Sequence, residues 1–209
     1  MDGVVFDFDG VLCRSMEQHA KAYRRVLAGR VEVQDEQVFR LEGARSETIL
    51  RDLCPDLSDV EVKTLALEKQ EVFRALGDPP LYDGAQGLIE AVAGRVPVAL
   101  VTGTRRENLE RLIPDLLPRF AAVMSQESYA RDKPHPEPYQ KAAEALCIDP
   151  ERLVCVENAV RGVESARAAG YGAVIAITTT MPAEALDADQ VVPDHVALQD
   201  RLVALLSQD

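Results

Sequence analysis

The chain opens on a short, unbroken apolar run. Val4, Val5 and Phe6 are β-branched or aromatic with no polar residue between them, the pattern of a strand buried on both faces. After Leu12 the period changes: Met16, Ala20, Tyr23 and Leu27 recur at intervals of three and four, which predicts a helix with one apolar face, stopped near Gly29. Ile49, Leu50 and Leu53 predict a second helix broken by Pro55. A third runs from Ser58 as N-cap through Leu65, Val72 and Leu76 to Gly77. Residues 14–79 therefore read as helical, and Asp78-Pro79-Pro80 stiffens the exit.

From Tyr82 onward helices and strands alternate. A helix over Leu88, Ile89 and Val92 precedes a strand over 96–101, with Pro97 near its start. Then follow a helix over 105–117, a strand over 120–124, a helix over 136–146, a strand over 153–156, a helix over 160–169 ended by Gly170, and a strand over 173–177. Such alternation predicts an α/β fold with a central parallel sheet covered on both faces. The first strand joins that sheet, so the helical stretch is an insertion after it. The expected division is a core of 1–13 and 80–209 with a helical domain of 14–79.

The run ends in Asp7-Phe8-Asp9-Gly10. An extended chain would point both acids to one side, and Gly10 lets the backbone turn away. Two like charges this close persist in a fold when a cation or a shared proton compensates them, or when the strand simply exits into a solvated turn. In an open parallel sheet, ligands bind beyond the carboxyl ends of the strands. Thr102-Gly103-Thr104 and Glu157-Asn158 end two other predicted strands and so belong to the same rim as the aspartates. Thr102, Gly103 and Thr104 open a helix, where hydroxyls and backbone N–H groups suit an anion and also suit an ordinary cap. Lys133 lies in Asp132-Lys133-Pro134-His135-Pro136-Glu137-Pro138, a stiff segment that would hold its ammonium against a phosphoryl oxygen at little entropic cost or leave it exposed on a loop. Glu157 and Asn158 offer oxygen donors for a hard cation such as Mg²⁺, or a cap beside a solvated acid.

With 209 residues the chain can bury a sizeable interior. Its formal charge of −12 repels nucleic-acid phosphates and anionic lipid, so an anionic ligand needs a local positive site. Cys13, Cys54, Cys147 and Cys155 form no C-x-x-C pair or metal-ligand spacing, as expected of reduced thiols. With no apolar run of spanning length and no basic leader after Met1, the expectation is a cytoplasmic protein, monomer or homodimer, with no nucleic-acid or membrane partner.

Asp7-Phe8-Asp9-Gly10, Thr102, Lys133 with its Lys-Pro-x-Pro-x-x-Tyr continuation to Tyr139, and Val156-Glu157-Asn158 resemble, in order, the four motifs of the haloacid dehalogenase superfamily. The resemblance spans essentially the whole chain. It is to the phosphatase and β-phosphoglucomutase-like branch, with a helical cap inserted after the first motif on a Rossmann-like three-layer core. It implies Asp7 as nucleophile forming an aspartyl-phosphate, Asp9 as acid and base, and Mg²⁺ held by Asp7, Asp9, Glu157 and Asn158. Thr102 and Lys133 would bind the phosphoryl group of a small phosphorylated metabolite, such as a sugar phosphate or phosphoglycolate. Two positions depart from the pattern: Asn158 stands where the superfamily commonly has Asp, and Arg14 where this branch often has an acid. His19 resembles a histidine near the β-phosphoglucomutase active site, and Gly43-Ala44-Arg45-Ser46-Glu47 its specificity loop with the arginine displaced by one position. The resemblance therefore implies an Mg²⁺-dependent phosphatase, with a phosphosugar mutase as alternative and a non-catalytic phospho-ligand binder as the lesser one.

Overall fold

A computed structural model describes residues 1–207. Six strands, β1 (Gly3–Phe6), β2 (Val98–Val101), β3 (Ala122–Met124), β4 (Leu153–Glu157), β5 (Ala173–Ile177) and β6 (Gln190–Val192), pair in parallel in the order β3-β2-β1-β4-β5-β6. The order reverses beside β1, and at such a switch point a crevice opens beyond the carboxyl ends. Register decides what faces it. Phe6 is level with Leu100 of β2 and Val156 of β4, so the chain segments after all three strands leave the sheet together.

Alternation along β1 divides the interior. Val4 and Phe6 pack on one face with α5 (Ala85–Ala93), with Leu109 of α6 (Arg106–Leu112), and with Leu198 and Leu202 of α9 (His195–Leu206). Val5 packs on the other with Tyr139 and Ala142 of α7 (Glu137–Leu146) and Val163 and Ala166 of α8 (Val160–Ala168). Every residue of β1 is buried, and each side chain the size of Phe6 contributes about 2–3 kcal/mol when fully removed from water. The result is the expected three-layer α/β core.

Between β1 and α5 lie α1 (Met16–Val26), α2 (Asp35–Arg40), α3 (Ser46–Leu53) and α4 (Asp59–Ala75), which share their own apolar cluster around Tyr23, Leu27, Leu50 and Val62. Ser58 caps α4 with a reciprocal pair: its hydroxyl accepts the Glu61 N–H while the Glu61 carboxylate accepts the Ser58 N–H at 3.0 Å.

The structure departs from the sequence reading in several places. The helix expected over 105–117 ends at Leu112 because Pro114 carries no N–H and disfavours helical geometry at Ile113, and a separate 3₁₀ turn follows at Leu117–Arg119. β2 starts at Val98, after Pro97 rather than around it, and β3 is only Ala122–Met124. The short α2, the edge strand β6 and the helix α9 were not anticipated. β1 stops at Phe6, so Asp7 and Asp9 occupy a turn in which Asp9 and Cys13 form an isolated bridge, and they do not extend the strand.

Candidate active site

Asp7 follows β1 directly, its N–H donating to the Val156 carbonyl at 3.0 Å. Its Oδ1 accepts Lys133 Nζ at 2.5 Å, and the same ammonium donates to Glu157 Oε1 at 2.6 Å. Lys133 is 0% exposed, Glu157 1% and Asp7 5%. Burial opposes the lysine's charge, but Asp7 and Glu157 outweigh it and hold its pKa above the ordinary value. Burial pushes the Asp7 carboxyl well up; Lys133 pulls against this while Glu157 and Asp9 add to it. With both carboxylates ionised, one ammonium between them leaves excess negative charge in a dry place, and a cation would relieve it.

Glu157, expected among metal ligands, is committed elsewhere. Its Oε1 also accepts the Tyr139 hydroxyl at 2.7 Å, and its Oε2 accepts the N–H groups of Asn158 and Ala159 at 3.0 and 3.3 Å. It anchors Lys133. Close approach of α8 depends on Gly162, where an added Cβ would lie 1.9 Å from the Glu157 carboxylate.

Asp9 sits in a different environment from Asp7. Oδ1 accepts the Ser15 hydroxyl at 2.6 Å and lies 3.4 Å from His19 Nε2; Oδ2 accepts the hydroxyls of Thr104 at 2.7 Å and Thr102 at 3.3 Å. Burial would raise its pKa, but the hydrogen bonds from His19, Ser15 and Thr104 win and hold it below the carboxylate range. Lys69 Nζ lies 2.7 Å from His19 Nδ1, so the ammonium donates there and the imidazole turns its Nε2–H toward Asp9. Burial, and then Lys69, hold the His19 pKa down, while burial brings Lys69 to about 8.

Thr102, Thr104, Lys133, Asp7, Asp9, Glu157, Asn158 and His19 thus converge on one rim. Gly103 and Thr104 line the cleft above Asp7 and Asp9, under a roof of Met16, Tyr23, Val38, Ile49 and Phe73 from the helical insertion. Arg45, expected to meet substrate, is tied to the core instead. It pairs with Asp132 at 2.7 Å and donates to the carbonyls of Tyr129 at 2.6 Å and Gln126 at 3.2 Å. Sequence reasoning missed Ser15, Glu42 and Lys69. Ser15 and Lys69 belong to helix α1's approach and to α4, where no local spacing distinguishes them from packing residues.

Among the described residues no group of three or more His, Cys, Asp or Glu side chains is arranged to hold a metal. The fitting oxygen set is mixed. Asn158 is 0% exposed, its Nδ2 donates to Glu42 Oε1 at 2.9 Å and Thr180 Oγ1 at 2.7 Å, and its Oδ1 is buried with no hydrogen-bond partner. A buried amide oxygen without a donor costs on the order of 1–3 kcal/mol, and a hard cation beside Asp7 would satisfy it.

The chain matches the haloacid dehalogenase-like hydrolase family over residues 1–170 and belongs to it. It is 29% identical over 181 residues to the fructose-1-phosphate phosphatase YqaB of Escherichia coli, covering 82% of this chain and 94% of that protein. To a chloroplastic 5-amino-6-(5-phospho-D-ribitylamino)uracil phosphatase of Arabidopsis thaliana it is 29% identical over 199 residues, covering 91% of this chain but only 53% of that protein. A solved β-phosphoglucomutase from Clostridium difficile superposes with a TM-score of 0.84 at 19% identity, covering 99% of this chain and 96% of that one, which establishes likeness of fold. Among the described residues no helix is long and apolar enough to cross a membrane.

Proposed function

We propose that the protein is an Mg²⁺-dependent phosphatase of a small phosphorylated metabolite, of the sugar phosphate or phosphoglycolate type, acting through an aspartyl-phosphate. The observation that carries this reading is the division between the two aspartates: Asp7 is held by the buried Lys133, and Asp9 by Ser15, His19, Thr102 and Thr104. The fructose-1-phosphate phosphatase YqaB, which matches most of both chains, supports the substrate class.

Asp7 attacks phosphorus and forms the acyl phosphate, dividing one difficult displacement into two easier ones. Lys133 accompanies the phosphoryl oxygens, and Thr102 and Gly103 at the rim contribute donors to them. Asp9, kept ionised in the free enzyme, gains proton affinity when a dianionic phosphoryl group arrives beside it; it then protonates the leaving alkoxide and afterwards takes a proton from the attacking water. The Asp7 carboxylate, the Asp9 carbonyl and Asn158 Oδ1 would hold Mg²⁺, which would supply charge neutralisation and orientation of the phosphoryl group. The insertion, residues 14–79, acts as a cap: its apolar roof excludes water from the first displacement, and its opening readmits water for the second.

A screen of phosphorylated metabolites with detection of inorganic phosphate tests this. Free phosphate, released in Mg²⁺ and not in chelator, is the expected result. Phosphate passed to a second hydroxyl of the substrate, without release, would make the enzyme a mutase.

A further inference from the structure

Glu42 is a carboxylate of the helical insertion that is buried at the core's rim, 4% exposed, between α2 and α3. Both its oxygens accept: Oε1 takes Asn158 Nδ2 at 2.9 Å, and Oε2 takes the Thr180 hydroxyl at 3.0 Å. Thr180 Oγ1 in turn accepts a second hydrogen from Asn158 Nδ2 at 2.7 Å. The pair rests on the backbone of the Asp9-Gly10 turn. At Gly10, φ +78°, an added Cβ would lie 2.0 Å from Asn158 Nδ2 and 2.6 Å from Glu42 Oε1.

Donor accounting makes residues 42 and 158 a matched pair. Thr180 has one hydroxyl hydrogen, already given to Glu42, so both contacts to residue 158 need hydrogens from that side chain. An amide supplies them. An aspartate there would set acceptor against acceptor at 2.7 and 2.9 Å in a site without water-like dielectric. The same two hydrogen bonds fix which way the amide faces, leaving Oδ1 as the free, buried atom.

We propose that Glu42 is a positioning residue through which the cap completes the metal site. By holding the Asn158 amide it aims Oδ1 at the cation. Cap closure and cation binding are then linked, and linkage is reciprocal: Mg²⁺ favours the docked 41–45 segment by the factor with which docking favours Mg²⁺. This rests on the reading that Asn158 ligates Mg²⁺.

The test is hydrogen exchange of the amides of residues 41–45 in the full chain, with and without MgCl₂, beside calorimetric Mg²⁺ titration. The proteins are wild type, Glu42→Ala, Asn158→Asp and the double variant Asn158→Asp with Glu42→Gln. In wild type, Mg²⁺ should slow exchange of the segment about tenfold. In Glu42→Ala exchange should be fast and indifferent to Mg²⁺, with Mg²⁺ affinity lower by a similar factor. Asn158→Asp should loosen the segment although it adds a ligand charge. The double variant should recover part of the protection together with the Mg²⁺ response, because the glutamine amide and the Thr180 hydroxyl then both donate to the new carboxylate; a merely structural role would recover protection without the Mg²⁺ response. Should Glu42→Ala fail to fold, the Asn158→Asp protein and its double variant still decide. Wild type that binds Mg²⁺ with no change in 41–45, or Asn158→Asp with the segment as protected as wild type, overturns the linkage alone. Wild type that binds no Mg²⁺ overturns the metal reading and the linkage with it.

Discussion

Lys133 Nζ and Asp7 Oδ1 lie 2.5 Å apart, with both groups buried beyond the end of β1. Removing one partner from such a pair leaves an uncompensated charge in low dielectric, at a cost of about 3–5 kcal/mol. Lys133→Met is therefore expected to lower unfolding stability by that amount in urea titration, because Asp7 and Glu157 then face each other without a cation. Lys133→Arg should not rescue activity, since a fully buried site built around one ammonium has no room for the guanidinium fork.

Gly162→Ala should be far more damaging than a surface glycine-to-alanine change, which within a helix ordinarily stabilises. The new Cβ at 1.9 Å must displace the Glu157 carboxylate and with it Lys133. Loss of about 1–3 kcal/mol of stability is expected. Turnover should fall by more than that loss explains when both are measured on the folded protein.

Tyr139→Phe removes one of the hydrogen bonds to Glu157 Oε1 while preserving ring packing, including the edge contact with Tyr171. A cost of about 1–3 kcal/mol is expected from leaving a buried carboxylate oxygen short of a donor. The phosphatase kcat should drop while KM stays near its original value, because Tyr139 acts through Glu157 and Lys133 and is itself buried away from the cleft.

Burial brings Lys69 from 10.5 to about 8 in the folded protein, against the opposing pull of Asp9 and Glu47. Between these values the unfolded chain binds more protons than the folded one, so stability rises as pH increases from about 8 to about 10.5. The group's share is roughly 3 kcal/mol over that window. Lys69→Met should be the flatter of the two proteins when urea midpoints are compared at pH 7.5, 9 and 10.5. Equal slopes would contradict the assignment of this burial cost to Lys69.

Much of the core and most of the rim could be read from the chain. Val4 to Phe6 reported a doubly buried strand because both faces of β1 are covered, and the parallel sense of the sheet followed from alternation. The polar clusters after β1, β2 and β4 met because the register holds Phe6, Leu100 and Val156 level. Part of what escaped was short or non-local. β6 is a three-residue edge strand, too brief for a periodic signal. α9 carried a signal in Leu198 and Leu202 behind the Asp194 cap, whose carboxylate accepts the Ala197 N–H at 2.8 Å. Glu42 had none, since its partners Asn158 and Thr180 stand 116 and 138 residues away. Arg45 read as a substrate group because its loop resembles one, yet its guanidinium pairs with Asp132 and donates from Nη2 to the carbonyls of Gln126 and Tyr129.

The most direct test of the central claim is phosphate release from an aryl phosphate by the purified protein, with Mg²⁺ or chelator present, for wild type and Asp7→Asn. Loss of a nucleophile should lower turnover by about 1,000-fold or more, a barrier increase of about 4 kcal/mol. Mg²⁺-dependent release by wild type, abolished in Asp7→Asn, is the predicted result; release independent of Mg²⁺, or undiminished in Asp7→Asn, would contradict it.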